Sequence, residues 1–313
     1  MPAPDTIILL LPAAARLGRQ RLSAASAKPL GRGTRLADGM AGRRAQLLRH
    51  FPLRGDGWPI AALSRQAEVG DAVGSAWLRA DPVWLRPDIN GVRLLAHGEA
   101  LALTREECDE LLPALRPLFG DAGFELDAPD PARWYLRLPK DTKVPEFSDP
   151  GDALGEDVFE HLDISPEGRR WRNLESEAQV TLHNHPLNAR RVARGQAPVN
   201  ALWFWGGGRL PSASGKDGAT GFSDDDTARA LAAASGRGAA LPARFMGEPG
   251  VYDIEGTRDL QWIEREWLLP ALGALRTGRI GTLCLDDGDG WRLVLGRRHL
   301  LRFWRGAASW PAT

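Results

Sequence analysis

The side chains that could do chemistry are concentrated in one segment, residues 182–208, which reads LHNHPLNARRVARGQAPVNALWFWGGG. Its polar members that could contact a ligand are His185, Asn188, Arg191 and Asn200. Histidine and asparagine form hydrogen bonds, and the planar guanidinium of an arginine can hold a carboxylate or a phosphate with two of them. The same residues are equally consistent with a structural role, as a polar helix end that leads into a buried strand and a glycine turn.

The aromatic triplet of this segment allows two interpretations. Trp203 and Trp205 flank Phe204, so in a strand the tryptophans face one side of the sheet and the phenylalanine faces the other. The tryptophan side is either buried or lines a pocket in which an indole N–H meets a polar ligand. Gly206 and Gly208 follow without the GKS or GxGxxG context of a phosphate-binding loop, and a glycine turn after a buried strand accounts for them as well.

No set of residues in the sequence has the spacing of a metal site or of a catalytic serine. His183 and His185 are two positions apart, which places them on different faces of a helix. The run DDGD at residues 286–289 resembles the start of a calcium loop, but Arg297 stands where that loop needs a glutamate. A GxSxG motif does not occur. The sequence therefore predicts neither a bound metal nor a cofactor.

Composition limits the partners and the compartment. The 313 residues include 40 lysines and arginines and 40 aspartates and glutamates, so no global basic field favours nucleic acid or an anionic membrane as a partner. Cys108 and Cys284 form no CxxC pair, which argues against a disulfide framework or a zinc site and fits a cytoplasmic protein. The apolar run at residues 7–15 is too short to span a membrane and predicts a buried first strand that Pro12 ends.

Local patterns place further elements along the chain. Thr104 and Glu107 have the spacing of a capping box at the start of a helix, and Asn90-Gly91 is the signature of a hairpin turn. The other predicted elements are a basic, solvated connector at 16–49 in which 43–50 can be helical, helices at 168–182 and 261–276, strands at 199–205 and 280–285, and a closing hairpin from 291–295 and 299–304.

The order of residues in the central segment resembles a known family. The residues that carry the likeness are His185-Pro186-Leu187-Asn188, Arg191, Gly195, Asn200, Trp203-Phe204-Trp205-Gly206 and Gly208. They match the HPxNxxRxxxG…NxxWxWGxG segment of the archaeal-type cofactor-independent phosphoglycerate mutases, which belong to the alkaline phosphatase superfamily. Weaker likeness at 78–83 and 271–285 extends the resemblance over most of the chain. The chain is most similar to a proteobacterial group labelled phosphoglycerate mutase or regulatory protein RpfE.

The resemblance implies a fold and a division of the chain. The expected fold is α/β, with a reduced alkaline-phosphatase-like core and an inserted α+β domain. Residues 1–75 would form the N-terminal part of the core, and residues 76–175 would form the inserted domain. Residues 176–313 would form the C-terminal part of the core and would carry the central segment with its aromatic strand.

The residues that the family uses for two-metal chemistry have no counterpart in this sequence. Leu11-Pro12-Ala13 replaces the Asp-Gly that ends the family's first strand, and DDGDG at 286–290 replaces its later Asp-x-Ala-Gly-His motif. Phosphoryl transfer of this kind needs carboxylates and histidines that hold two ions about 4 Å apart. The resemblance and these departures together predict a catalytically degenerate mutase that is regulatory or binds a small phosphorylated or acidic ligand.

The predicted ligand contacts all belong to the central segment. They are His185, Asn188, Arg191 and Asn200 as donors, Trp203 and Trp205 as the wall of the pocket, and Gly206 and Gly208 beside them. Arg191 is the predicted anion contact. The structural alternative is that the asparagines brace the bend at Pro186 and that the histidine is a core residue.

Two other functions stay open at this point. One is an active phosphoglycerate mutase with a rearranged metal site at Asp286, Asp287 and Asp289. The other is a protein–protein interaction module, whose contact surface would be the tryptophan-rich strand and the helix at 261–276. An exposed apolar patch on those two elements would favour the second alternative, because large patches of this kind mark interaction sites.

Overall fold

The computed structural model describes residues 5–53, 57–89, 91–139, 142–211 and 218–311. The chain forms two compact units, the first from Met1–Arg54 with Ser212–Thr313 and the second from Gly55–Pro211. These limits differ from the predicted divisions at 75/76 and 175/176. The central segment, which was expected in the C-terminal part of the core, is part of the second unit.

The first unit is built on a sheet whose middle strands are parallel. Its strands are β1 (Thr6–Leu11), β2 (Thr34–Arg35), β8 (Thr220–Phe222), β9 (Arg237–Ala239), β10 (Gly250–Asp253), β11 (Thr282–Asp287) and β12 (Arg292–Gly296), numbered in chain order. Their spatial order is β2-β12-β11-β1-β10-β8-β9. All six residues of β1 are buried, as expected of a parallel strand covered on both faces. The predicted first strand is therefore confirmed, and Pro12 follows its last residue.

Helices supply the apolar cover of this sheet. Those of the first unit are α1 (Ala14–Leu17), α2 (Ala24–Gly31), α3 (Arg43–His50), α9 (Asp226–Ser235), α10 (Leu260–Ile263) and α11 (Leu269–Thr277), with a π-helical segment at Glu264–Leu268 between the last two. Trp267, Leu268 and Leu272 are buried in one core cluster with Ile7 and Leu9 of β1. The predicted helix at 261–276 is thus confirmed, and its apolar side is buried.

The predicted closing hairpin is wrong. Strand β12 pairs antiparallel with β11 on one side and with β2 on the other. Both of its edges are therefore occupied, which leaves no position for a partner strand from residues 299–304. Arg297–Leu301 instead forms a short 3-10 helix.

The second unit is an antiparallel sheet with helices, which matches the expected α+β character. Its strands are β3 (Ala76–Asp88), β4 (Gly91–His97), β5 (Glu125–Asp130), β6 (Arg133–Leu138) and β7 (Ala201–Arg209). Strand β3 pairs antiparallel with β4, β6 and β7. The predicted hairpin is confirmed by the pairing of Asp88 with Gly91, while Asn90 of its turn lies outside the described residues.

The helices of the second unit include the one with the predicted capping box. They are α4 (Ile60–Glu68), α5 (Arg105–Asp121), α6 (Pro150–Ala153), α7 (Gly168–His183) and α8 (Pro186–Ala193), with short 3-10 helices at Gly98–Leu101 and Val158–His161. The Thr104 hydroxyl accepts from the Glu107 amide at 3.2 Å, and the Glu107 carboxylate accepts from the Thr104 amide at 3.3 Å. The mixed α/β class predicted for the whole chain is therefore confirmed. No helix in the described part of the chain combines the length and apolar character needed to cross a bilayer.

Candidate functional site

Two of the predicted donors brace the turn between α7, α8 and β7. The Nδ1 atom of His185, the residue before α8, accepts a hydrogen bond from the Leu187 amide at 3.3 Å. The side-chain amide of Asn188 donates to the Leu182 and Val199 carbonyls, and its oxygen accepts from the Val199 amide, each at 2.7 Å. Asn188 thereby ties the end of α7 to the segment before β7, which is the structural alternative stated for it.

Arg191 lies inside the second unit with no exposed surface. Its Nε donates to the Ala197 carbonyl at 2.8 Å, and its two terminal nitrogens donate to the Leu101 carbonyl and to the carboxylate of Glu107. Each guanidinium nitrogen therefore has a partner within the protein. This geometry gives Arg191 a structural role and offers no surface to the anion that it was predicted to contact.

The remaining polar contacts of the segment fix β7 to its neighbours. Asn200 pairs with the backbone of Leu85 in both directions, at 2.8 Å each. The indole of Trp203 donates to the Ser148 carbonyl at 2.9 Å, and that of Trp205 donates to the Asp81 carboxylate at 2.7 Å. Both tryptophans are buried, so the exposed apolar patch considered for an interaction module is not formed by this strand.

The glycines at the end of β7 allow a close approach of α4. A Cβ atom on Gly208 would lie 2.7 Å from Pro59, and one on Gly206, whose φ is +65°, would lie 3.1 Å from Ile60. Both glycines are therefore explained by close packing against the start of α4, because a side chain at either position would require Ile60 or Pro59 to move.

Trp203 also contributes to the wall of a narrow cavity, together with His161 and Glu175. Burial raises the pKa of the Glu175 carboxyl to about 7, and the charge of Arg172 opposes this shift without cancelling it. The folded protein therefore favours the protonated form of Glu175. Its stability falls as the pH rises from about 4, the pKa of a glutamate in the unfolded chain, to about 7, the pKa of Glu175 in the folded protein.

Glu175→Gln is therefore expected to raise the free energy of unfolding by about 1–2 kcal/mol at pH 8 and to leave it nearly unchanged at pH 4. Urea denaturation of both proteins at the two pH values measures the difference. Glu177→Gln, on the exposed side of the same helix, is the matched control and should be neutral at both. A Glu175→Gln variant that gains nothing at pH 8 would contradict the raised pKa.

A second group of polar residues lies at the carboxyl ends of the parallel strands in the first unit, where α/β sheets place their ligands. Asp253 ends β10 and Asp286 lies near the end of β11, and both are in register with Leu10 of β1. Helix α3 packs across these ends. The Gln46 amide, which is fully buried, donates to the Leu11 carbonyl at 3.0 Å and to the Asp286 carbonyl at 2.8 Å.

Asp286 is held by two side chains of α3, Arg49 and His50. Arg49 donates to both carboxylate oxygens, at 2.9 and 2.6 Å, and the His50 ring nitrogen Nε2 lies 2.7 Å from one of them. Only 2% of the Asp286 side chain is exposed. Burial alone would raise the pKa of Asp286, but the hydrogen bonds from His50 and Arg49 outweigh it and hold that pKa below its usual range.

Asp253 is held in the same way by Arg43. The two terminal nitrogens of Arg43 contact the two carboxylate oxygens at 3.0 and 2.5 Å, and the hydroxyl of Ser223 donates to one of them at 2.6 Å. Bidentate arginine–carboxylate pairs are among the stronger polar contacts in proteins. The strand-end carboxylates are thus already paired with guanidinium groups of the same chain.

These residues do not fit a two-metal centre. Asp253 and Asp286 lie on the two strands that flank β1, which puts their backbones about 10 Å apart, and the residue between them is the apolar Leu10. The carboxylate of Asp287 accepts a hydrogen bond from the indole N–H of Trp310 at 2.8 Å. Among the described residues, no group of three or more His, Cys, Asp or Glu side chains could hold a metal ion. The geometry therefore does not favour the alternative of a rearranged metal site.

The α3 contacts were missed in the sequence, where residues 16–49 were predicted to be a solvated connector. That prediction is wrong for α3, because Gln46 and Leu47 are buried and Arg43 and Arg49 bond to the strand ends. The available signal was the spacing of Arg43, Gln46 and His50, which places the three on one face of a helix.

An open cleft of about 590 Å³ adjoins the Arg43–Asp253 pair. Its polar lining includes five carboxylates and one arginine, namely Asp224, Asp225, Asp253, Glu255, Asp259 and Arg43. The carboxylates outnumber the arginine, which is itself paired with Asp253. The electrostatic field of this cleft is therefore unfavourable to an anion.

Comparison with known proteins relates the chain to phosphoglycerate mutases, although no protein-family model matches it. It is 29% identical over 158 residues to the "Probable 2,3-bisphosphoglycerate-independent phosphoglycerate mutase" of Geobacter sulfurreducens, which covers 49% of this chain and 38% of the relative. It is 35% identical over 66 residues to the 2,3-bisphosphoglycerate-independent phosphoglycerate mutase of Methanosarcina barkeri, which covers 21% of this chain and 17% of that relative. The resemblance seen in the sequence is therefore confirmed, whereas assignment to the RpfE-labelled group stays a prediction.

The fold also has a solved counterpart. The PH0037 protein of Pyrococcus horikoshii superposes with a TM-score of 0.51 over 94% of this chain and 87% of that chain, at 13% sequence identity. At this identity the likeness is one of fold alone. The sequence matches span at most 38% of the two curated relatives, so they establish a relationship to phosphoglycerate mutases and not an activity.

Proposed function

We propose that this chain is a catalytically degenerate relative of the phosphoglycerate mutases, which does not transfer phosphoryl groups by a two-metal mechanism. The observation that carries the proposal is the pairing of Asp286 with Arg49 and His50. A divalent cation needs free carboxylate oxygens, and here both oxygens of Asp286 accept from Arg49.

The pair at Asp253 supports the same conclusion. Arg43 engages both oxygens of that carboxylate, so the positive charge that a metal would supply is provided by a guanidinium. A cation that entered this site would have to displace Arg43 and would then be repelled by it at short range. Arginine also remains charged at every accessible pH, so the site does not open by titration.

A metal analysis combined with a mutase assay tests the proposal. We expect the purified full chain to contain far less than one manganese or zinc ion per molecule, even after incubation with the metals, and to show no turnover of 3-phosphoglycerate. The Geobacter sulfurreducens relative, handled in parallel, is the control for the assay and the metal loading. Bound metal near two ions per chain together with turnover would refute the proposal.

The predicted phosphorylated or acidic ligand can be tested separately. The donors predicted for it are engaged inside the second unit, and the open cleft of the first unit is lined mostly by carboxylates. We therefore expect 2-phosphoglycerate and 3-phosphoglycerate to leave the thermal unfolding midpoint of the folded protein unchanged. A concentration-dependent rise in the midpoint would restore the small acidic ligand as the function of this protein.

A further inference from the structure

Three large apolar side chains of the first unit are exposed to solvent and lie within four residues of one another in the sequence. Leu301, Phe303 and Trp304 are 68%, 76% and 73% exposed, and we call residues 301–305 the aromatic tip. The rings of Phe303 and Trp304 pack edge to face, with centroids 5.6 Å apart. Exposed phenylalanine and tryptophan at neighbouring positions are unusual in a folded protein and mark a contact surface.

The aromatic tip is held in place by contacts with the N-terminal part of the same unit. Arg302 donates to the Thr34 hydroxyl at 3.0 Å, and Arg305 donates to the Gly33 carbonyl at 2.7 Å. From the other side, Arg32 donates to the Leu300 carbonyl at 2.7 Å. The exposed side chains are therefore carried on an anchored turn, and their exposure is a property of the folded unit.

The tip lies in a stretch of uncompensated positive charge. The sequence from residue 291 to residue 313 contains no aspartate or glutamate, although the chain as a whole has as many acidic as basic residues. Arginines 297, 298, 302 and 305 lie near the apolar side chains in the sequence, and within the described part of the chain none of them forms an ion pair. Burial and the charges of Arg302 and Arg305 lower the pKa of His299, as a local positive field requires.

We propose that the aromatic tip docks on an anionic lipid surface. Tryptophan and phenylalanine favour the boundary between headgroups and acyl chains, and arginines at the same depth pair with anionic headgroups. The net charge of zero for the whole chain does not oppose binding to an anionic membrane. Attraction to the membrane acts over about a Debye length, roughly 10 Å, so it depends on the arginines close to the aromatic tip.

The composition of the tip favours lipid over single-stranded nucleic acid. Nucleic-acid platforms offer flat ring faces on which successive bases stack. In the tip, Phe303 packs edge to face with Trp304, and the third apolar side chain, Leu301, has no ring. An aliphatic side chain contributes to insertion among acyl chains but not to base stacking, so the three together are suited to a membrane interface.

Co-sedimentation of the full chain with vesicles tests the proposal. We expect binding to vesicles of phosphatidylcholine and phosphatidylglycerol in equal parts, weakened by salt, and no binding to phosphatidylcholine alone. Trp304→Ser and Arg298→Glu should each lower the binding constant about tenfold or more. Phe159→Ser removes an aromatic side chain of the second unit that is 61% exposed, and it should bind like the wild type.

Trp304→Ser and Arg298→Glu both alter exposed side chains, so circular dichroism should show an unchanged fold. The proposal is overturned if the folded wild type does not bind the anionic vesicles. It is also overturned if Trp304→Ser and Arg298→Glu bind as well as the wild type does, or if the wild type binds oligothymidine while anionic vesicles do not compete. These outcomes do not depend on the metal and mutase assays, so the two proposals can fail separately.

Discussion

Replacing Arg191 with methionine is expected to lower the free energy of unfolding by about 3–5 kcal/mol, as measured by urea denaturation. Arg191 is fully buried and is the ion-pair partner of Glu107, whose side chain is only 10% exposed. Methionine fills a similar volume but leaves that carboxylate in the interior without its counter-charge. The Leu101 and Ala197 carbonyls lose their donors at the same time, and each buried acceptor left unpaired adds to the cost.

Arg194→Met is the matched control for this substitution. Arg194 lies one turn from Arg191, is 63% exposed and approaches Glu107 only to 4.0 Å. Exposed pairs of this kind contribute less than about 1 kcal/mol, so the control should be close to the wild type. If Arg191→Met is as stable as Arg194→Met, the guanidinium is not a structural element of the fold, and the ligand contact predicted from the sequence becomes the better explanation of this residue.

Asp286→Asn is expected to lower the free energy of unfolding by about 2–3 kcal/mol at pH 7. An asparagine cannot accept from Arg49 at both oxygen positions, and it leaves the charge of that arginine unbalanced beside a buried strand end. This loss of stability is smaller than the loss expected on breaking a fully buried ion pair, because 16% of the Arg49 side chain and 15% of the His50 side chain are exposed.

The stability lost through Asp286→Asn depends on pH, and the direction of the pKa shift of Asp286 gives the sign of that dependence. The pKa of Asp286 is lower in the folded protein than in the unfolded chain, so its stabilisation is complete above about pH 4 and is lost as the pH falls through the folded value. The wild type should therefore lose more stability than Asp286→Asn between pH 7 and about pH 3. Asp38→Asn, which breaks an exposed pair with Arg35, should cost less than about 1 kcal/mol at pH 7. Equal losses in the two variants at pH 7 would contradict the importance of the Asp286 contacts.

Much of the fold could be predicted because its signals are local. The buried run of β1 and the capping box of Thr104 and Glu107 each depend on residues within a few positions of one another, and both were confirmed. The closing hairpin failed although residues 299–304 alternate suitably for a strand. The hairpin does not form because β2, more than 250 residues earlier in the sequence, pairs with the edge of β12 that residues 299–304 would have used.

The sequence by itself determined most of the helices and strands and the kinship with phosphoglycerate mutases. The tertiary structure alone decided what the polar residues do. Arg191 meets Glu107 across 84 positions, and Arg49 meets Asp286 across 237. An arginine that binds an anion and one that neutralises a distant carboxylate of its own chain have the same local pattern. The physical reason is that the partner of such an arginine depends on how distant helices and strands pack together. The spacing of residues along the chain does not contain that information.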